Sequence, residues 1–174
     1  MVDLRQASDA DLPEIVALTN RAYRETGPQA SWNVESMIEG ERTNLATLRE
    51  EIAASPDASL LTWRDDEAGE LLGHVWLEPA DAGAWYLGML TVRPDRQDQQ
   101  LGRRLLTAAE DYARTNGAAS IRMTVIHQRE TLIAWYVRRG YRVTGETIPF
   151  PYDHERLGRP NQPGLYFDVL AREL

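Results

Sequence analysis

One stretch in the middle of the chain constrains the fold most: an apolar run that breaks at a proline and resumes as a helix. Residues 85–92 are apolar, aromatic or small, and the run is too short to span a membrane, so it predicts a buried strand. Pro94 ends the strand because proline has no N–H to donate to a sheet. From Leu101, apolar residues recur every fourth position to Ala113, which predicts a helix. The first N–H groups of such a helix lack partners within it, so the turn predicts a phosphate-binding site.

The composition excludes several kinds of chemistry. The 174-residue chain suits one domain over residues 1–174, with an ordinary apolar share of 43%. It contains no cysteine, which rules out disulfides, thiolate metal sites and thiol nucleophiles. All 19 basic residues are arginine, so Schiff-base lysines and lysine-bearing phosphate loops are also absent. With no apolar leader and no membrane-length run, we expect a cytoplasmic protein without membrane contact.

Charge is distributed unevenly along the chain, whose net charge is −8. Residues 1–92 carry 6 arginines and 17 acids, whereas residues 93–142 carry 10 arginines and 5 acids. The basic segment therefore begins at the predicted phosphate turn. Nucleic acid is a poor partner for so acidic a chain, because phosphate backbones need an extended basic surface. A compact polyphosphate bound by residues 93–142, with a cationic substrate facing the acidic remainder, fits better. Most of the acids are equally explained as a solvated surface.

Strand and helix patterns alternate along the whole chain, which indicates a layered α/β domain. Asp9 or Asp11 is expected to cap the first helix, and Thr43 the second. A polar turn at 65–69 joins two strands into a hairpin. The predicted strands are 2–6, 59–64, 71–77, 85–92, 121–125, 141–148 and 165–170, the last preceded by a long loop at 150–164; helices are predicted after Asp9, after Thr43, after Leu101 and at 131–139.

This order of elements, together with two motifs, resembles the GNAT N-acetyltransferase superfamily over nearly the whole chain. The first motif of that superfamily is Gln or Arg, two residues, Gly, one residue, then Gly or Ala, usually after Val-x-Pro. Here Val92 and Pro94 supply the Val-x-Pro, and Gln97 and Gly102 match the ends of the motif. In the superfamily, successive N–H groups of this turn hold the pyrophosphate of coenzyme A, a role that the resemblance gives to residues 97–103.

Two residues of this turn depart from the superfamily pattern. Gln100 stands where glycine is usual, and Asp98 where glycine is common. Glycine lets a backbone approach a phosphate closely or adopt positive φ, and a carboxylate repels phosphate. Either side chain could instead cap the helix. The turn must therefore hold Gln100 at negative φ or carry strain.

The second motif is a Tyr, three residues, Gly and an aromatic residue, matched in full by Tyr136, Gly140 and Tyr141. In many family members this tyrosine protonates the departing coenzyme A thiolate, and a phenol with a pKa of about 10 suits that step. A core tyrosine before an ordinary helix-ending glycine would give the same pattern. Seven residues earlier, where the family often has Asn, this chain has Arg129, whose charge could reach a phosphate.

The resemblance also implies a role for the central strand. In the family this strand splays from its parallel neighbour, which frees main-chain groups for pantetheine, and an N–H near Leu90 polarises the thioester carbonyl and stabilises an oxyanion. The implied acetyl-CoA site comprises Leu90, Thr91, Val92, Gln97, Asp98, Gln99, Gln100, Leu101, Gly102, Arg103, Arg129 and Tyr136.

Candidates for the acceptor side are fewer. Glu78, at the end of the preceding strand, is the nearest candidate for a general base, although such carboxylates are often inert. Trp32 and Trp76 could line a pocket for a cation, and core packing explains Trp76 equally well. No metal site is expected, because the only His–acid pairs, at residues 127/130 and 154/155, lack further ligands.

The resemblance therefore implies a single GNAT-like α/β domain with a mixed, mostly antiparallel sheet of six to seven strands, a splayed central parallel pair and about four helices. The implied function is transfer of an acetyl group from acetyl-CoA to a primary amine of a small molecule or peptide, by direct attack in a ternary complex. A homodimer is common in that family. A non-catalytic acyl-CoA sensor on the same fold and a nucleotide-binding domain remain as alternatives.

Overall fold

A computed structural model describes residues 1–26, 34–65 and 69–174 of the chain. These residues form four α-helices and nine strands. The helices are α1 Leu12–Arg24, α2 Leu45–Ala54, α3 Leu101–Thr115 and α4 Glu130–Val137. The strands are β1 Leu4–Gln6, β2 Ile38–Glu39, β3 Ser59–Arg64, β4 Leu71–Pro79, β5 Ala84–Val92, β6 Ser120–Ile126, β7 Arg142–Pro149, β8 Arg159–Pro160 and β9 Tyr166–Glu173.

Seven of the strands form one mixed sheet in the order β1-β3-β4-β5-β6-β9-β7, and β2 pairs with β8 apart from it. Every neighbouring pair in the large sheet is antiparallel except β5 and β6, which are parallel. A parallel pair needs a crossover connection, and α3 supplies it. The predicted mixed sheet with one central parallel pair is confirmed.

Helices cover both faces of this sheet because its central strands are apolar on both faces. Along β4, Val75 and Leu77 pack in the same core cluster as Leu105 of α3. Trp76, which lies between them and points to the other face, packs with Ile15 of α1. Burying each large side chain of this kind contributes roughly 1.5–3 kcal/mol relative to exposure. The helices α1 and α3 thus lie on opposite faces of the sheet.

Several local predictions are confirmed and three need correction, the first at α1, where neither Asp9 nor Asp11 forms a side-chain cap and the Asp11 carboxylate instead accepts from the Ser8 N–H at 2.7 Å. The hairpin of β3 and β4, the strand at 85–92 and the helix after Leu101 are present, and Gly117 follows α3 with φ +98°. Asn44, not Thr43, caps α2: the Asn44 side chain accepts a hydrogen bond from the Thr47 N–H at 2.9 Å. The predicted loop at 150–164 contains β8, which pairs with β2.

No helix in the described parts of the chain combines the length and apolarity that crossing a bilayer requires.

Candidate active site: an opening between two parallel strands

The parallel strands β5 and β6 are paired only at their beginnings. Ala84, Trp85 and Tyr86 pair with residues 120–122, and beyond Tyr86 no pairing joins the two strands in the described structure. A cavity of about 140 Å³ occupies the opening. Its wall is made by β5, by the end of β6 and by side chains from α1 and α4; the lining includes Tyr23, Glu35, Arg42, residues 86–90, residues 123–126, Arg129, Leu132 and Tyr136. We call this space the splay cavity. It exposes backbone groups of β5 that a β-ladder would otherwise use.

A bulge shapes the β5 wall of the splay cavity. Gly88 pairs with Trp76 and Thr91 with His74, so β5 has one residue more than β4 over this interval. Met89, within the bulge, has φ +50°, a left-handed conformation that costs a non-glycine residue about 1–2 kcal/mol. The Tyr23 hydroxyl donates to the Leu90 carbonyl oxygen at 3.2 Å. Residues 88–90 of the bulge therefore line the splay cavity, with the Leu90 carbonyl held by the Tyr23 hydroxyl.

Tyr136 lies at the wall of the splay cavity in the last turn of α4. Leu132 is one turn earlier on the same helix face, and both side chains are buried. The Tyr136 ring makes edge contacts with Trp135 and Tyr141 at centroid distances of 5.0 and 5.5 Å. The pKa of the Tyr136 phenol is raised above its usual value, mainly by burial and to a smaller extent by the neighbouring Tyr23. The phenol therefore stays protonated through the neutral range.

A buried cluster of three charges closes the splay cavity beside α1. The Glu35 carboxylate accepts a hydrogen bond from Arg24 at 2.7 Å and another from Arg129 at 3.1 Å. All three side chains are about nine-tenths buried. Arg24 also donates to the carbonyl oxygens of Gly40 and Leu157, which ties the 35–40 segment to the 150–164 segment. Arg129, which the sequence offered as a phosphate ligand, is thus ion-paired with Glu35 at the cavity wall.

The turn after β5 leaves the first backbone N–H groups of α3 without partners in the helix. Residues Pro94–Gln99 form a 3₁₀ helix, and Gln100 follows with φ +54° and ψ +30°. The first backbone hydrogen bond of α3 runs from the Arg104 N–H to the Gln100 carbonyl at 3.1 Å. The N–H groups of residues 101–103 therefore have no acceptor within the helix. Gln100 has the positive φ that glycine would adopt without strain.

The side chains around this turn face different ways. Leu101 is buried in the core, Arg103 and Gln99 are exposed, and Gly102 lies against α4, where an added Cβ would sit 3.6 Å from Trp135. Any ligand at this turn would therefore meet backbone at 101–102 and a side chain at Arg103. The side chains of Gln97 and Asp98 lie outside the described part of the structure.

The other predicted residues are dispersed. Thr91 is buried, and its hydroxyl donates to the Met89 carbonyl at 3.0 Å, so its side chain supports the bulge. Val92 pairs with Gly73 in the sheet and does not line the splay cavity. Glu78 is half-buried and accepts a hydrogen bond from the Trp76 indole N–H at 3.2 Å. Trp32 lies outside the described residues.

A second cavity of about 460 Å³ adjoins the splay cavity on the α2 side of β5. The two share lining residues Arg42, Tyr86, Gly88, Met89 and Leu157. Trp76 lines the second cavity together with Glu50, Glu51, Ala54, Ser55 and Arg156. The two cavities therefore meet at the β5 bulge, with the splay cavity on the β6 side and the second cavity on the α2 side.

Tyr23, Glu35, Arg42 and Glu51 were missed by reasoning from the sequence. Tyr23 lies on the buried face of α1, where the apolar pattern explains its ring but not its hydroxyl. Glu35 and Arg42 lie in the 29–43 stretch, whose pattern is irregular, and Glu51 lies on the polar side of α2. None of these positions has a local motif. No cluster of three metal-ligating side chains occurs in the described residues.

Comparison with known proteins agrees with this geometry. The model of the Acetyltransferase (GNAT) family matches residues 13–141. A mycothiol acetyltransferase of Propionibacterium freudenreichii subsp. shermanii is 29% identical over 164 residues, covering 89% of this chain and 49% of its own. The chain thus spans about half the length of that relative. The uncharacterized N-acetyltransferase YhfO of Bacillus subtilis is 30% identical over 145 residues, covering 80% of this chain and 89% of its own.

A solved structure shares the fold over the full length. The PaiA N-acetyltransferase of Thermoplasma acidophilum, determined in complex with coenzyme A, superposes with a TM-score of 0.70 at 18% identity. The match covers 100% of this chain and 99% of that one. The predicted fold class is therefore confirmed.

Proposed function

The chain belongs to the GNAT acetyltransferase family, and on that premise we propose that it transfers an acetyl group from acetyl-CoA to a primary amine by direct attack in a ternary complex. The observation that carries the proposal is the opening between β5 and β6. The cavity in this opening is lined by β5 residues that do not pair with β6 and by the buried phenol of Tyr136. The relatives named above are acetyltransferases by name, which supports the same reaction class.

The residues present fit acetyl-CoA at two places. The edge of β5 past Tyr86 offers main-chain donors and acceptors to an extended amide-bearing chain such as pantetheine. The N–H groups at the start of α3, with the Arg103 side chain beside them, suit a pyrophosphate. When bound, the thioester supplies an activated acetyl group. The absence of cysteine excludes a thiol-linked acetyl-enzyme, which favours direct transfer.

The transfer requires one bond to form, one to break and one proton to move. The amine nitrogen bonds to the acetyl carbon, the C–S bond breaks, the nitrogen loses a proton and the sulfur gains one. We assign the proton given to sulfur to the Tyr136 hydroxyl, which its raised pKa keeps protonated. Backbone N–H groups at the β5 bulge are the donors available to the acetyl oxygen. Glu78 stays the candidate base for the amine proton; it lines neither cavity but accepts a hydrogen bond from Trp76, which lines the second cavity, so the amine would have to reach Glu78 itself or a water beside it.

Replacing Tyr136 tests the proposal. Tyr136→Phe removes one oxygen and keeps the ring contacts, so we expect turnover to fall by about 10²–10⁴-fold, the usual contribution of a positioned acid. Acetyl-CoA should still raise the melting temperature as in the natural protein. Release of free thiol with a panel of amines measures turnover. Tyr112→Phe, which also deletes a partly buried phenol hydroxyl, is the control and should retain activity.

The same assay separates the alternatives. A protein that binds acetyl-CoA but releases no thiol with any amine would be a sensor. A melting temperature raised by ATP and not by acetyl-CoA would indicate a nucleotide-binding domain. Unchanged turnover in Tyr136→Phe would remove Tyr136 from the mechanism.

A further inference from the structure

The Arg42 guanidinium is an unused charge at the junction of the two cavities. Arg42 is half-buried and lines both the splay cavity and the second cavity. Its guanidinium carbon lies 5.7 Å from the Tyr23 ring centroid, and it has no ion-pair or hydrogen-bond partner for its side chain among the described residues. A partly desolvated arginine with free donors favours an anionic ligand.

The backbone of Arg42 is held in place although it lies outside a helix or strand. The Asn20 side chain of α1 accepts hydrogen bonds from the N–H groups of Arg42 and Thr43 at 2.7 and 3.2 Å. The same amide donates to the Thr43 carbonyl at 2.9 Å. Three bonds from one side chain therefore fix the position from which the guanidinium reaches the cavities. Such prior ordering reduces the entropy lost when a ligand binds.

None of the neighbouring acids forms an ion pair or a hydrogen bond with the Arg42 side chain in the described residues. Glu35 is already bonded to Arg24 and Arg129, and Glu50 to Arg156 at 2.8 Å. Glu51 lines the second cavity and has no ion pair or hydrogen bond within the described residues. Burial, opposed by Arg42, raises the pKa of the Glu51 carboxyl. The second cavity thus presents a cation and an acid that attract each other but form no ion pair or hydrogen bond within the described residues.

We propose that the acceptor is a zwitterion, an amine that also carries a carboxylate, and that Arg42 binds this carboxylate. The inference rests on the proposed function and names its substrate class. The planar guanidinium can donate two parallel N–H groups to a carboxylate, and Glu51 offers an acidic wall to the ammonium end before transfer. Free α-amino acids carry both groups on one small molecule.

The coenzyme A pyrophosphate is a poor alternative ligand for Arg42. The site proposed for it is the N-terminus of α3, and Arg42 is not among the residues that line the cavity beside Gln100 and Arg103. Arg42 is attached to α1 through Asn20. Arg42 lies instead at the β5 bulge, where it lines both the splay cavity and the second cavity.

The test compares matched acceptors. Initial rates of thiol release are measured with a panel of L-amino acids, each beside its own amide, which keeps the amine and removes the carboxylate charge. We expect kcat/KM to favour at least one acid over its amide by tenfold or more. Arg42→Gln should lower kcat/KM for that acid by about tenfold to a hundredfold, mainly through KM, and should leave its amide nearly unchanged. Arg42→Lys should lose less, since it keeps the charge without the paired donors.

Arg49→Gln is the control, because Arg49 is an exposed arginine of α2 that pairs with Asp9 and lines neither cavity. It should change neither rate. Equal rates for every acid and its amide, or equal losses for both in Arg42→Gln, would overturn the inference while leaving the acetyltransferase proposal intact. Acetylation only of amines without a carboxylate would also overturn it. A complete lack of thiol release with every amine would instead refute the proposed function itself.

Discussion

His74 should make the protein lose stability in mild acid. It is fully buried in β4, where its ring Nε2 lies 2.9 Å from the Thr19 hydroxyl oxygen. That hydroxyl donates to the Ile15 carbonyl, so the His74 Nε2–H is the donor to Thr19. The His74 Nδ1 atom is buried without a partner in the described structure. A proton on Nδ1 would therefore place a charge and an unpaired donor in the core.

The size of this loss of stability follows from the pKa of His74. Burial, with a contribution from Arg42, lowers this pKa to about 3, against about 6.5 for an unfolded chain. Between these values the unfolded state binds one more proton than the folded state, so stability falls as the pH falls below 6.5. Each pH unit within that window changes the free energy of unfolding by about 1.4 kcal/mol. From pH 7 to pH 5 the loss is about 2 kcal/mol, since the first half-unit lies above the window.

Urea unfolding at pH 7 and pH 5 measures this loss. In His74→Gln the titrating ring is absent and the amide can still donate to Thr19, so the difference between the two pH values should shrink by about 2 kcal/mol. The exposed His154, changed to Gln in the same way, should leave the difference as in the natural protein. Identical differences in His74→Gln and the natural protein would refute the placement of a neutral histidine in the core.

Two further changes test the site's surroundings. Glu35→Gln should lower the free energy of unfolding, measured in urea, by about 3 kcal/mol, because Arg24 and Arg129 would stay buried without a carboxylate. A loss near zero would mean that this charged cluster does not stabilise the fold. Gln100→Gly should raise the melting temperature, since relief of the left-handed conformation, about 1–2 kcal/mol, exceeds the added chain entropy of roughly 0.5–1 kcal/mol. Gln99→Gly, at a negative-φ position, should lower it.

The elements that build the site were predictable because each has a local cause. Pro94 stops β5 by removing a donor, and the four-residue spacing from Leu101 defines the buried face of α3. The positive φ of Gln100 was one of two alternatives that the sequence left open, since αL is rare but accessible to residues other than glycine. Tyr136 was singled out by a motif, and the structure places it on the wall of the splay cavity, while its catalytic role stays a prediction.

The charged wall of the site was not predictable in the same way. Glu35 and Arg129 are 94 residues apart, and their contact depends on where the segment after α1 lies relative to the start of α4. No motif or periodicity marks Arg42 in the sequence. Its position depends on a hydrogen bond from its N–H to the Asn20 side chain, and the sequence identifies Asn20 only as a polar residue of α1. The opening between β5 and β6 arises because the two strands stop pairing after Tyr86. The sequence of residues 87–92 would be equally compatible with a sheet in which the two strands stayed paired.

The claim at the centre of the account is that acetyl passes directly from acetyl-CoA to an amine held in the adjoining cavity. Initial rates measured over varied concentrations of both acetyl-CoA and the best amine test it directly. Double-reciprocal plots should intersect, and the intact mass of the protein should stay unchanged after incubation with acetyl-CoA alone. Parallel plots, together with a protein that gains the mass of one acetyl group, would contradict direct transfer.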